Sequence, residues 1–361
     1  MRVQVVDPSA YTAPYDRALC GALARAGADV ELVTSRFEYG PPPPAEGFAV
    51  NELFYRRARG PAGSRRRRAL KLAQHVPDML RWRRHARAAE LVHLQWLVLE
   101  ALDARLLPRA APLVLTAHNA LRHSPSAGYR RALAHADAVV VHSDRARAAV
   151  SDTVELDPGR VHVIHHGAFD YLTRLPEERP LPPELARVEG PVVLFFGLIR
   201  PYKGLDVLLE AWRGIEHAEL WVVGPPRMDI EPLRAGAPPG VRFMPRFVPD
   251  AEIPAVMRRA DLVVLPYRAI DQSGVLFAAL AFGRPLLLTD VGGFPEVAAT
   301  GAARLVPPDS AGALHDELVR LLGDAPARAA LAAAARAAAE GPYSWDAIGR
   351  RTLELYEELR R

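Results

Sequence analysis

The stretch FFGLIRPYKGLDVLLEA, Phe195 to Ala211, decides the fold. An apolar run of strand length meets a loop carrying Arg200 and Lys203, and an amphipathic helix follows. Backbone N–H groups, the positive end of a helix dipole and two cationic side chains converge there, which suits an anion such as a phosphate. Outward from this loop the pattern recurs. Asp261 to Tyr267 (DLVVLPY) reads as a second buried strand, and Gln272 to Pro285 (QSGVLFAALAFGRP) as a helix that opens at Ser273-Gly274 and stops before Arg284-Pro285. LLLTDVGGFPEV then supplies another strand, a glycine turn at Gly292-Gly293, and Glu296 behind it.

Upstream, strands are predicted at Arg2 to Val6, Asp29 to Thr34, Leu91 to Gln95, Leu113 to Ala117, Ala138 to His142 and Val161 to His165, with helices such as Tyr15 to Ala26 between them. Alternation of this kind implies an α/β fold, a parallel sheet wrapped by helices. Near Thr173 the pattern breaks into TRLPEERPLPPELARVEGP, whose prolines and charges mark a linker. A second alternating unit starts at Val192 and runs to about Ala339. The last segment, Trp345 to Arg361, is amphipathic through Ile348, Leu353, Leu355, Tyr356 and Leu359. Two such sheets facing each other form a cleft, with ligand groups at the carboxyl ends of the strands.

A chain of 361 residues is long for one core, which favours two domains. Cys20 is the only cysteine, so neither a disulfide framework nor a cysteine-based metal site forms within one chain, and a reducing, cytoplasmic compartment follows as the expectation. No HExxH pair suggests zinc. No apolar run approaches the roughly 20 residues that span a bilayer, and no signal peptide is visible, so Met1 is the expected start. Net charge is only +4, yet cations crowd into GSRRRRALKLAQHVPDMLRWRRHARAAE, Gly63 to Glu90. Leu70, Leu72, Val76, Met79, Leu80 and Trp82 interleave with them, as in a basic amphipathic helix pair. Two readings stand: an anionic membrane surface met through Arg65, Arg66, Arg67, Arg68, Lys71, Arg81, Arg83 and Arg84, or a solvated helical face. Nucleic acid is not expected, because no binding module surrounds the patch.

This ordered set of motifs resembles the C-terminal half of family 4 glycosyltransferases, retaining enzymes of the GT-B fold that use nucleotide-sugar donors. MRVQVVD, ALCGALARAGADVELVT, LTAHN and YSWDAIGRRTLELYEELRR extend the likeness over most of the chain. The resemblance implies two Rossmann-like domains facing each other across a cleft. These are an acceptor-side domain over 1–174, a linker at 175–190, a nucleotide-sugar domain over 191–344, and a helix at 345–361 that crosses back onto the first domain. On sequence alone that helix equally well caps its own domain.

The resemblance also implies transfer of a hexose from a nucleotide sugar to a glycan or lipid-linked acceptor, with retention; on the lipid reading of the basic segment, a peripheral position at the inner face of the membrane is the expectation. Neither a metal nor another cofactor is expected: the chain has no Asp-x-Asp pair, and Arg200 and Lys203 supply the charge that the leaving diphosphate needs. His118, in LTAHN, is placed to hydrogen-bond a sugar hydroxyl or to shuttle the acceptor proton. Gly197, Asp271, Gln272, Ser273, Gly274 and Glu296 are assigned to the donor, and Asn119, His166 and Gly167 to the acceptor or the domain junction. For Ser273 and Glu296 a helix-capping role stands beside the donor role, whereas His93 and His142 read as satisfied core residues.

One departure stands out. The family's two glutamates, eight positions apart, align with Ile270 and Ala278, and only Asp271 lies close enough to replace either. That loss motivates an alternative, a catalytically inactive subunit that binds a nucleotide sugar or stabilises a partner. A sugar epimerase of similar fold fits the Arg-Lys loop less well.

Overall fold

A computed structural model describes residues 1–38, 40–60, 64–120 and 124–361; Gly63, the first residue of the basic segment, lies outside them. The chain forms two compact units, Met1–Gly167 with Trp345–Arg361, and Ala168–Ser344.

The first unit contains β1 (Arg2–Asp7), α1 (Ala13–Arg25), β2 (Asp29–Thr34), β3 (Ala49–Asn51), α2 (Arg65–His85), β4 (Leu91–Leu94) and α3 (Glu100–Leu106). It continues through β5 (Leu113–Thr116), α4 (Ala127–His135), β6 (Ala138–Val141), α5 (Asp144–Val154) and β7 (Val161–Val163). All pairings are parallel, in the order β3-β2-β1-β4-β5-β6-β7, so the direction of winding reverses between β1 and β4. Central strands are buried on both faces, which is why they read as unbroken apolar runs.

The second unit contains β8 (Val192–Phe196), α6 (Leu205–Ala211), β9 (Glu219–Val223), α7 (Glu231–Ala235), β10 (Val241–Met244), α8 (Ile253–Arg259) and β11 (Leu262–Leu265). It closes with α9 (Gly274–Ala281), β12 (Leu286–Thr289), α10 (Phe294–Ala298), β13 (Ala303–Val306), α11 (Ala311–Gly323) and α12 (Ala325–Glu340). Its parallel sheet runs β10-β9-β8-β11-β12-β13, with the reversal between β8 and β11.

The final helix, α13 (Trp345–Glu358), belongs to the first unit and packs on α1. Glycine makes this approach possible: a Cβ on Gly349 would stand 2.7 Å from the Ala22 carbonyl oxygen. At the other end Trp345 lies over Gly167, where a Cβ would meet the indole at 2.4 Å.

Three expectations need correction. The stretch 175–190 is not a free linker, because Leu185 is buried in the core of the second unit and Leu175, Leu181 and Val188 pack against it. The Arg179 N–H also donates to the Ala251 carbonyl at 2.7 Å, so prolines here direct an ordered path. The basic segment is one helix and not a pair, since α2 continues through Pro77. Its apolar residues divide, with Met79 and Trp82 buried and Leu72, Val76 and Leu80 exposed. Arg67 and Lys71 also leave the outward face, because both pair with Glu38. No helix among the described residues is long and apolar enough to cross a membrane.

Candidate functional site

In the second unit the loops after β8 and β11 flank the reversal of strand order, the position where parallel sheets present ligand-binding groups. Gly197 leaves β8 with φ +97°. Pro201–Lys203 form one tight turn, and Gly204 follows at φ +67°, where a Cβ would stand 2.1 Å from the Pro266 carbonyl oxygen. Arg268 then fastens the loop. Its backbone N–H donates to Tyr202 O at 2.7 Å, and its guanidinium donates to Pro201 O at 2.7 Å, to both Asp206 oxygens and to Asp309 at 2.6 Å.

This framework buries Lys203, which is only 6% exposed, while Arg200 beside it stays exposed. The ammonium lies 4.9 Å from the centre of the Tyr267 ring. Burial lowers its pKa to about 8; Tyr202 opposes the shift, the Arg200 charge adds to it, and no carboxylate contributes. Tyr267 in turn lies 3.5 Å, hydroxyl to hydroxyl, from Ser273. The Ser273 side chain therefore does not cap α9, as the helix-capping reading required; it turns toward Tyr267 instead. Gly292, at φ +52°, passes so close to Ile270 that a Cβ would meet its carbonyl oxygen at 2.1 Å, and the Gly293 N–H donates to Asp271 O at 3.1 Å. Gly197, Lys203, Ser273 and Gly274 thus share one wall, with Asp271 and Gln272 half-buried on the adjoining loop. Glu296 is half-buried in the first turn of α10, and its charge together with burial raises the Tyr343 pKa. Ile270 and Ala278 both face the apolar core.

In the first unit a histidine group gathers at the carboxyl ends of successive strands. His118 follows β5, His142 follows β6 and His166 follows β7, packed around the buried Tyr15 of α1. His118 stacks on Trp96 at 4.7 Å, and Trp345 closes the group from α13. His142 Nδ1 donates to the Ile164 carbonyl at 2.8 Å, so its neutral Nε2 accepts from His118 Nδ1 at 3.2 Å. That leaves the His118 Nε2 lone pair 3.0 Å from the Gln95 amide, which donates when its two terminal atoms are exchanged. Burial holds every ring neutral near pH 7: it pushes His118 well below its ordinary value, His142 down to about 4 and His166 down to about 3. Asn119 is exposed beside this group. His93 is a core residue as expected, bonded to Tyr356 at 2.5 Å and Thr116 at 2.7 Å.

Sequence reasoning missed Tyr15, Gln95, Trp96 and Trp345 and took His142 for core alone. A signal existed: Gln95, His142 and His166 each stand just beyond the end of a parallel strand, where side chains reach the ligand edge.

Two family models match the chain, Glycosyltransferase Family 4 over residues 15–168 and Glycosyl transferases group 1 over residues 190–324. The D-inositol 3-phosphate glycosyltransferase of Jonesia denitrificans is 29% identical over 294 residues, covering 75% of this chain and 66% of that protein. The phosphatidyl-myo-inositol mannosyltransferase of Mycolicibacterium smegmatis is 34% identical over 181 residues, 47% of this chain and 46% of the relative. The chain thus spans about half to two thirds of the curated relatives it matches. Among solved structures, Anabaena HepE in complex with UDP superposes with a TM-score of 0.72 at 19% identity, over 99% of this chain and 100% of that one.

Proposed function

We propose, for a chain that belongs to the family 4 (group 1) glycosyltransferases and has their GT-B fold, that it moves a sugar from a nucleoside diphosphate donor to a glycan or lipid-linked acceptor. Retention of configuration and independence of metal ions are part of the proposal. The observation that carries it is Lys203, a buried ammonium with no carboxylate paired to it among the described residues, held where the strand order reverses. Keeping such a charge out of water costs stability, which an arriving diphosphate offsets. As the bond to the diphosphate lengthens, negative charge grows on the leaving oxygen while positive charge spreads over the anomeric carbon and ring oxygen. Lys203, buried in its framework, and Arg200 beside it stabilise the first of these charges, and Lys203 needs no reorganisation as the bond breaks.

We assign His118 to binding a sugar hydroxyl and not to proton transfer. Its ring is neutral and both nitrogens have partners, so a hydroxyl would replace Gln95 at Nε2. The outer face of α2 supports docking to an anionic membrane, since exposed Leu72, Val76 and Leu80 stand among the exposed Arg65, Arg66, Arg68, Arg81, Arg83 and Arg84. The apolar residues where the family carries two carboxylates, Ile270 half-buried and Ala278 buried against the core, favour the second reading, a nucleotide-sugar-binding subunit without turnover.

A panel of nucleotide sugars incubated with the protein tests the assignment. Release of nucleoside diphosphate, with an anomer of unchanged configuration seen by proton NMR, is expected. Inversion would remove the retaining mechanism, and binding without release would establish the second reading.

A further inference from the structure

We propose that the first unit holds a phosphate-binding subsite beyond the ends of β2 and β3, and that the acceptor recognised there carries a phosphate group. A cavity of about 810 Å³ opens between the segment after β2, the segment after β3 and the start of α2. That volume suits a phosphorylated sugar or polyol. Its walls carry five cations against two carboxylates.

The charges do not cancel locally. Glu38 is shared between Arg67 and Lys71, the latter at 3.0 Å. Arg56 spends its donors on neutral groups, the Glu52 carbonyl at 2.5 Å and the Asn51 side-chain oxygen at 3.2 Å. Arg36 and Arg59 are exposed and have no carboxylate partner among the described residues. A concave wall with surplus positive charge focuses its field on an anion, and guanidinium forks match the oxygen geometry of phosphate.

The floor of the cavity is rigid for a reason the donor chemistry does not supply. Tyr55 adopts φ +55°, a strained conformation for a bulky residue. Its N–H donates to Asp78 at 2.8 Å, and its hydroxyl meets His75 Nδ1 at 2.6 Å. His75 Nε2 meets Asp103 at 2.5 Å, and the second Asp103 oxygen accepts from the Val98 and Leu99 N–H groups. This buried chain fixes the Tyr55 ring, over which the Lys71 ammonium lies at 5.4 Å. Strain kept in place by several buried partners is characteristic of preorganised sites.

Naming the ligand an acceptor rests on the transferase reading; the subsite itself does not. The test measures glucose 6-phosphate and glucose by calorimetry at low salt, in a background with Arg200→Ala and Lys203→Met so that the donor loop contributes nothing. Glucose 6-phosphate should bind and glucose should not. Arg36→Gln with Arg59→Gln, both exposed, should weaken binding about tenfold or more. Glu38→Gln should strengthen it by freeing Arg67 and Lys71, a gain that misfolding cannot imitate. Equal affinities across these variants would overturn the subsite. Phosphatidylcholine vesicles containing phosphatidylinositol form a second arm: binding that appears only there, and falls in the double variant, identifies the phosphate as a lipid headgroup. Phosphate binding without turnover on any donor keeps the subsite and removes only the word acceptor.

Discussion

Lys203→Met should separate activity from stability. The substitution keeps the buried stem and removes the charge. In the wild type, burial lowers the lysine pKa from 10.5 to about 8, a difference worth on the order of 3 kcal/mol against the folded state while both states are protonated. Loss of the contact with the Tyr267 ring returns about 0.5–2 kcal/mol. The variant should therefore be more stable by roughly 1–3 kcal/mol at neutral pH, a rise of several degrees in Tm. Between pH 8 and 10.5 the unfolded wild type binds more protons than the folded form, so wild-type stability climbs and the advantage of the variant shrinks. Turnover runs the other way. Removing a charge aimed at the leaving group should cost about 100- to 1000-fold in kcat, and wild-type kcat/KM should fall as pH rises through about 8. Steady-state kinetics and calorimetric melts across this pH range check both halves. A variant that melts lower and turns over normally would refute the reasoning, as would a flat kcat/KM profile.

Arg200→Ala, an exposed change, should lower turnover by about 100-fold with an unaltered melting curve. Chelators should leave the rate unchanged, and a strict need for added Mg²⁺ would count against cations as the charge source. Gly167→Ala forces a Cβ to within 2.4 Å of Trp345 and should cost about 1–3 kcal/mol, read as a lower denaturant midpoint. Ala278→Glu places a carboxylate at a position only 5% exposed and should destabilise the unliganded protein. If that position faces ribose, a ribonucleotide sugar should raise its Tm more than that of wild type; equal shifts would place ribose recognition elsewhere.

The strands were legible because parallel pairing buries both faces, leaving unbroken runs such as VVLFF and LVVL. The loop of Arg200 and Lys203 was legible because its two cations stand between a strand and a helix. What could not be read was long-range. β3 has three residues and half-exposed side chains, too little pattern to distinguish it from the proline-rich run before it. Burial of Lys203 depends on a clamp by Arg268 some 65 residues away, and the histidine group on the register of β5, β6 and β7. Polarity misled at 175–190, where charged side chains face water while Leu185, with Leu175, Leu181 and Val188, anchors the path beneath.

The return of α13 to the first unit orders events during synthesis. Tyr356, bonded to His93 of β4, is among the fully buried side chains of that core, so the core stays open until the whole of 168–344 has been translated. At roughly 5–20 residues per second that delay is on the order of ten to thirty seconds, and at its end the second unit has all of its own sequence while the first still lacks α13. The half of the protein made first therefore becomes complete last. A chain cut short just before Trp345 should expose the face of α1 that α13 covers, and its N-terminal half should be the part that proteases and chaperones recognise.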